Sequence, residues 1–259
     1  MLFIALLMTL HSSSRREAGS QELSFVPLLR DVLERALSSS QERESIHQRP
    51  SYSIAHLSSQ QELEIVRLAL WGERASENAA TVISYLTCHP VLVRGLHHST
   101  IQSVCLAPRP WTPLATWTDL MRPRTDRVLE LRFLSPMTLR DPTSAKGLDF
   151  PEPQGVFSQL LSRWNDLGGP ALSDHLPSFL EQGGCMVADY HLRTCYLSCQ
   201  DGRHAGWVGW IRYRCRDPHP ESIAAINSLS SLACFTGVGV ATEHGMGLTR
   251  RMSLKEREK

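Results

Sequence analysis

The chain has 259 residues, 42% of them hydrophobic and 20% charged, which is enough apolar material for one large core or two ordinary ones and rules out a disordered or fibrous chain. A formal charge of +1 excludes the overall basic field of a non-specific nucleic-acid binder, so any such binding must be local. The cations are nearly all arginine. Lys146 falls in a loop pattern and Lys255 and Lys259 in the charged tail, which leaves no candidate for a buried catalytic lysine.

The apolar opening, residues 1–10, resembles the hydrophobic part of a signal peptide but lacks a basic leader and a small-x-small cleavage site. It is also too short to span a bilayer, so it is read as a buried first strand of a cytoplasmic protein. Phe25, Leu28, Leu29, Val32, Leu33, Ala36 and Leu37 recur at three and four, which predicts an amphipathic helix over 21–38. A polar, serine-rich connector follows over 38–49. Strands are predicted at 52–57 and 63–71, a helix around Ala79, Val82, Ile83 and Leu86, and a strand at 99–107. The order is βαββαβ.

Pro108, Pro110, Pro113 and Pro123 interrupt any periodicity over 108–126, as in a linker packed down by Trp111 and Trp117. Beyond it Leu129, Leu131 and Phe133 alternate with charge, and Val156, Leu160, Leu161, Trp164 and Leu167 give a helix face. Two strands follow over 186–198 and 206–215. The first carries its apolar residues at even positions and the second at odd ones, with Gly202 between them as in a hairpin. A helix at 221–234, opened by Pro220, and a strand over 246–252 complete a second βαββαβ. The expected fold class is therefore α+β, with two tandem ferredoxin-like, RRM-like domains at 1–107 and 127–259 joined by the proline-rich linker. This architecture occurs in RNA-recognition modules and in many unrelated enzymes, so by itself it names no function.

Between the last helix and the last strand, Gly237, Gly239, Gly245 and Gly247 make a permissive backbone suited either to a tight turn or to an anion cradle. A dinucleotide fingerprint needs its glycines after a strand and before a helix, the reverse of the order here. A nucleotide-hydrolase phosphate loop closes with lysine before Ser or Thr, whereas this run closes Gly247-Leu248-Thr249. The seven cysteines, at 88, 105, 185, 195, 199, 215 and 234, contain no Cys-x-x-Cys pair and read as reduced, mostly buried thiols. Cys195 and Cys199, Cys88-His89 and His97-His98 are weak metal patterns. Neither a metal nor a cofactor is predicted.

Several segments, in order, resemble the C-terminal half of the CRISPR-associated pre-crRNA-processing endoribonucleases, members of the RAMP superfamily. They are Leu131 to Arg140, Phe157 to Asn165, Leu192-Arg193-Thr194, Gly206 to Gly209 and the glycine run itself. The N-terminal half resembles the family through its helix, the Ile46-His47 pair and the segment Pro50 to Leu57. The resemblance implies tandem ferredoxin-like domains and metal-independent cleavage of the repeat in a CRISPR transcript. The substrate's own 2′-hydroxyl attacks the adjacent phosphorus, leaving a 2′,3′-cyclic phosphate and a 5′-hydroxyl. That reaction needs a base, an acid and donors for the charge growing on phosphate.

The resemblance places the catalytic histidine at His47, and an imidazole pKa near 6.5 suits both proton transfers. Arg49 and Tyr52 stand beside it in sequence, one to neutralise the phosphate and the other to donate to it or stack on a base; His56 is the fallback histidine. Arg30, Arg140, Arg203, Arg212, Arg214, Arg250 and Arg251 are the expected phosphate contacts, Arg212 and Arg214 sharing a strand face opposite Tyr213. In the glycine run Gly237, Gly239, His244, Gly245 and Gly247 are expected to face RNA. The run departs from the family at Val240, where a basic residue is usual, and at Glu243, whose charge repels phosphate. The implied partners are CRISPR repeat RNA and other CRISPR effector subunits, with no membrane, the chain being a monomer or homodimer. The alternatives are a guide-RNA-binding RAMP subunit that does not cut, and a small-molecule enzyme on the same fold.

Overall fold

Alternation of side chains along an extended backbone sends Ile4, Leu6, Met8 and Leu10 to one face of the opening segment, while Phe3 and Ala5 of the other face are buried as well. In the computed structural model, which describes residues 1–12, 29–34, 52–60, 63–94, 97–107, 114–139, 149–199, 202–216 and 219–252, this segment is strand β1 (Leu2–Ser12). Ile4, Leu6, Met8 and Leu10 enter the core of the first unit. Helical residues 29–34 (α1) add Leu29, Val32 and Leu33, spaced three and four apart. Strands β2 (Tyr52–Gln60) and β3 (Leu63–Gly72), helix α2 (Ala75–Cys88), and strands β4 (Val91–Arg94) and β5 (His97–Leu106) follow. Helix α2 covers the same core with Ala75, Ala79, Val82 and Leu86. Burying each large aliphatic side chain of this kind contributes about 1.5–3 kcal/mol.

The sheet runs β2-β3-β1-β5-β4, and the neighbouring strands are antiparallel. Without β4 this is the order and sense of a ferredoxin-like sheet. β4 is an addition to the predicted βαββαβ: four residues are too few to show a period, and pairing with β5 from Val91↔Thr100 to Arg94↔His97 is what extends them. At the sheet edge Val91 and Val93 stay exposed while Leu92 is buried.

The second unit holds β6 (Leu114–Thr116, its first residue grouped with the other unit), α3 (Trp117–Leu120), β7 (Val128–Met137), α4 (Pro153–Asp166), α5 (Leu176–Glu181), β8 (Cys185–Cys199) and β9 (Gly202–Cys215) except their facing ends, which are grouped with the other unit, α6 (Pro220–Thr236) and β10 (Thr249–Met252). Its sheet order is β10-β7-β9-β8, the ferredoxin-like order again, with β7 antiparallel to both neighbours. Leu129, Leu131 and Phe133 of β7 and Ile211 and Tyr213 of β9 form the buried face. Val156, Phe157, Leu160 and Trp164 of α4 and Ile223, Ile226 and Leu229 of α6 are buried with them. Phe157 meets Tyr213 edge-on at 5.3 Å, and the Tyr213 hydroxyl donates to the Pro151 carbonyl at 2.8 Å. The chain as a whole divides into one unit of residues 1–114, 197–203 and 243–245, and a second of residues 115–196, 204–242 and 246–259.

The proline-rich stretch is structured where it is described. Thr116 caps α3, its Oγ1 accepting from the Asp119 amide, while the Asp119 carboxylate accepts from the Thr116 hydroxyl and amide; the hydroxyl bond first and the amide bond second hold that carboxyl below its ordinary range. Trp117 then packs on Trp164 with ring centroids 4.5 Å apart. Trp111 lies outside the described residues. The cysteines differ from expectation: Cys185 and Cys215 are buried, but Cys88 and Cys105 are exposed and Cys195 and Cys234 half-buried. Cys88 ends α2 and Cys105 lies near the end of β5, where neither faces a core.

Trp164 is fully buried, packed at a tilt against Trp117, and donates from Nε1 to the Pro170 carbonyl at 2.7 Å. Trp164→Ala is therefore expected to cost about 3–5 kcal/mol of stability, read as a lowered urea midpoint at an unchanged slope.

Candidate nucleic-acid interface

Three of the residues singled out in the sequence meet within the first unit. Arg30, on α1, approaches His244 of the glycine loop with Nη1 3.1 Å from Nε2, and its Nε lies 3.2 Å from Glu34 Oε1. A guanidinium has only donors, so His244 Nε2 is the acceptor in this contact. Glu243 Oε1 stands 3.6 Å from the same Nε2 and takes over as its partner if His244 is protonated. Tyr52, at the start of β2, is buried, and its phenol is pushed well above the usual tyrosine range. Burial is the main cause, Glu34 adds to it, Arg30 opposes it, and Glu243 and Asp31 add again. Tyr52 is thus held protonated, a hydrogen-bond donor rather than a base.

The glycine loop has a definite internal construction. The amides of Gly237, Val238, Val240 and Gly247 donate to the carbonyls of Ala233, Gly247, Thr138 and Pro136 at 2.9–3.0 Å. The Gly239 amide donates to Gln159 Oε1 at 2.8 Å, and the Leu248 amide to Ser135 Oγ at 2.9 Å. An anion cradle built from the amides of Gly237, Gly239 and Gly247 is therefore not what the sequence makes here, because those donors are spent on the fold. Glycine is required for close backbone approach instead. At Gly239, φ is +93° and a Cβ would stand 2.3 Å from the Thr138 carbonyl oxygen; at Gly247, φ is +68° and a Cβ would stand 2.0 Å from that of Val238. The loop's outer turn, residues 241–245, is closed by the Met246 amide donating to the Ala241 carbonyl at 3.2 Å, with Ala241 itself at φ +57°. His244 and Gly245 lie in this turn.

In the second unit, strand register sorts the arginines. Arg132 pairs with Trp210 and Arg250, Glu130 with Arg212, and Val128 with Arg214, so these residues share the sheet face opposite the helices. Arg214 is exposed. Arg212 is held by Glu130 at 2.9 Å and Asp189 at 3.4 Å, and its guanidinium lies 5.1 Å from the centre of the Trp210 ring, on which His191 also stacks. Glu130, only 3% exposed, also pairs with Arg132 at 3.2 Å. Arg132 and Trp210, not singled out in the sequence, lie on this same face; their parity with Arg212 was the available signal.

Arg251, expected on phosphate, has the opposite parity and turns toward α6. It bonds Asp126 Oδ2 at 2.7 Å, Asn227 Oδ1 at 2.5 Å and the Asn227 carbonyl at 3.0 Å, with 9% of its side chain exposed. Burial is the main influence lowering its pKa, Arg124 adds to this, and Asp126 opposes it. It serves as a structural cation. His47, Arg49 and Arg140 lie outside the described residues, as do the side chains of His56 and Arg203. Among the described residues no three His, Cys, Asp or Glu side chains are grouped to hold a metal ion, and no helix is long and apolar enough to cross a membrane.

Residues 131–249, from the core of β7 through the glycine loop into β10, match the family model described as CRISPR-associated endoribonuclease Cas6. The chain is similar to that family over this segment. Among solved structures, one Cas6 product complex superposes with a TM-score of 0.80 at 20% identity, covering 96% of this chain and 100% of that one. A second gives 0.77 at 21%, covering 98% and 100%. Thermus thermophilus Cas6 gives 0.75 at 19%, covering 97% and 98%. At these identities the likeness establishes a shared fold. No curated protein matches the sequence. Within the matched segment lie the glycine loop, Arg132, Arg212, Arg214 and the Gln159 and Arg163 side chains of α4.

Two measurements check this geometry. The unfolded tyrosine ionises near pH 10 while folded Tyr52 does not, so its contribution to stability is fully present below about pH 10 and is lost as pH rises beyond it. Urea midpoints taken between about pH 9 and pH 11 should fall less steeply for Tyr52→Phe than for the wild type. Arg251→Ala should cost about 2 kcal/mol through its lost charge-assisted bonds, whereas Arg214→Ala should stay within about 0.5 kcal/mol of wild type in the same urea titration.

Proposed function

We propose that the chain is an endoribonuclease that cuts the repeat of a CRISPR transcript. The observation that carries this reading is the family-model match running through the glycine loop into β10, taken with the meeting of that loop's His244 with Arg30 beside the buried phenol of Tyr52. The bonded residues Arg30 and His244 are 214 positions apart in sequence.

In the proposed reaction a base takes the proton of the 2′-hydroxyl, whose oxygen attacks the adjacent phosphorus. The bond to the 5′-oxygen breaks as an acid returns a proton to it, and the products are a 2′,3′-cyclic phosphate and a 5′-hydroxyl. His47 is the residue for proton transfer and Arg49 for charge on the phosphoryl oxygens. Tyr52, kept as a phenol, donates to a phosphoryl oxygen and is excluded from the base role by the same burial that keeps it protonated. Arg30 reaches phosphate by exchanging its ion pair with Glu34, and His244 and Gly245 meet the RNA from the outer turn. Arg140, Arg212, Arg214 and Arg250, joined by Arg132, contact the backbone of the bound strand, with Trp210 beside them as a stacking surface. Gly237, Gly239 and Gly247 act through the loop's shape. The route calls on side chains alone and requires no metal, and we place the enzyme in the cytoplasm.

Incubation with a repeat-containing transcript in EDTA should release a product with a 5′-hydroxyl end, and His47→Ala should slow the cut by about 10²-fold or more. Undiminished cutting by that variant would remove His47 from the mechanism. A wild type that binds the repeat and never cuts it would instead be a guide-RNA-binding subunit, and one that binds no RNA would end the proposal.

A further inference from the structure

Helix α4 presents Gln159 and Arg163, four residues apart and so on one face, to the start of the glycine loop. Arg163 Nη1 donates to the carbonyls of Thr236 at 2.9 Å and Gly237 at 3.1 Å, and Nη2 donates to that of Gly239 at 2.9 Å. One turn earlier, Gln159 accepts the Gly239 amide at 2.8 Å. Both backbone polar groups of Gly239 are therefore fixed by a single helix. The carbonyls gathered by Arg163 lie at and just past the C-terminus of α6, where the last peptide oxygens have no intrahelical partner and the helix dipole is negative. A planar guanidinium at that point satisfies several of them at once, with a geometry that a lysine ammonium on its flexible stem does not reproduce.

We propose that Arg163 is the positioning residue of the glycine loop. It takes the helix-end carbonyls into its fork, so that the chain leaves α6 along one path and delivers the turn carrying His244 preformed. On this view the affinity of the loop for RNA depends on an arginine that does not touch RNA, and the loop needs no basic residue at Val240 to be ordered. The inference rests on the RNA-processing reading, and it predicts a split in which Arg163 governs binding while the proton-transfer groups govern the cut.

The test compares wild type, Arg163→Ala and Arg163→Lys by amide hydrogen exchange over 237–246 in the free protein, by affinity for the repeat RNA, and by the single-turnover cleavage rate at saturating enzyme. Arg163→Ala is expected to speed loop exchange about tenfold or more and to weaken RNA binding by a similar factor, with the saturated cleavage rate within about threefold of wild type. Millimolar guanidinium ion should restore part of the lost affinity. Arg163→Lys is expected to keep the wild-type urea midpoint and still lose loop protection and affinity, and it decides the matter if the alanine variant does not fold. Wild-type protection and affinity in Arg163→Lys would overturn the fork argument. A loss of affinity with unchanged loop exchange would mean that Arg163 contacts RNA directly, which also overturns the proposal. If the wild type binds no repeat RNA, the RNA-processing reading fails, while hydrogen exchange still decides whether Arg163 holds the loop.

Discussion

The pairing of β7 with both β9 and β10 is the constraint on which the second unit depends. One register places Leu131, Ile211 and Tyr213 against the helices and, by the same step of two, sends Arg132, Arg212, Arg214 and Arg250 to the opposite face. A slip of one residue would bury four cations and expose the core. The register also explains why Arg250 and Arg251, adjacent and chemically identical, have different fates. One stands with the arginines of the outer face and the other is sealed under α6 by Asp126 and Asn227.

The first unit arranges charge differently. Arg30 there is attended by Glu34 and lies near His244, with Glu243 beside the imidazole, so its cation is balanced by carboxylates in the unliganded protein. Tyr52 fits this setting because burial among carboxylates makes ionisation of its phenol unfavourable and keeps the proton in place to be donated.

Much of this was legible from periodicity. The strands and helices of both βαββαβ repeats follow from alternation at two and recurrence at three and four, and the glycine loop was found between the correct helix and strand. β4 was not legible, because four residues carry no period and only its partner defines it. Exposure was read less well than strand identity. The even positions of β8 looked like a core face, yet Tyr190 and Tyr196 are 55% and 46% exposed, on a strand at the edge of its sheet. The resemblance supplied roles for His47 and Arg49 that no local pattern carries. The use of the loop's amides could not be read either, since Gln159, Ser135 and the carbonyl of Thr138 come to the loop only through tertiary packing.

β10 follows every other described element along the chain, and its Arg251 reaches back to Asp126 across 125 positions. During synthesis β7 can pair with β9 once the β8–β9 hairpin has emerged, but its other edge waits for the last strand. Until then a central strand carries an unpaired row of backbone groups, and the ion network under α6 is open. Closure of the unit is thus a late, non-local event, of the kind that slows folding and prolongs exposure of a sheet edge to other chains.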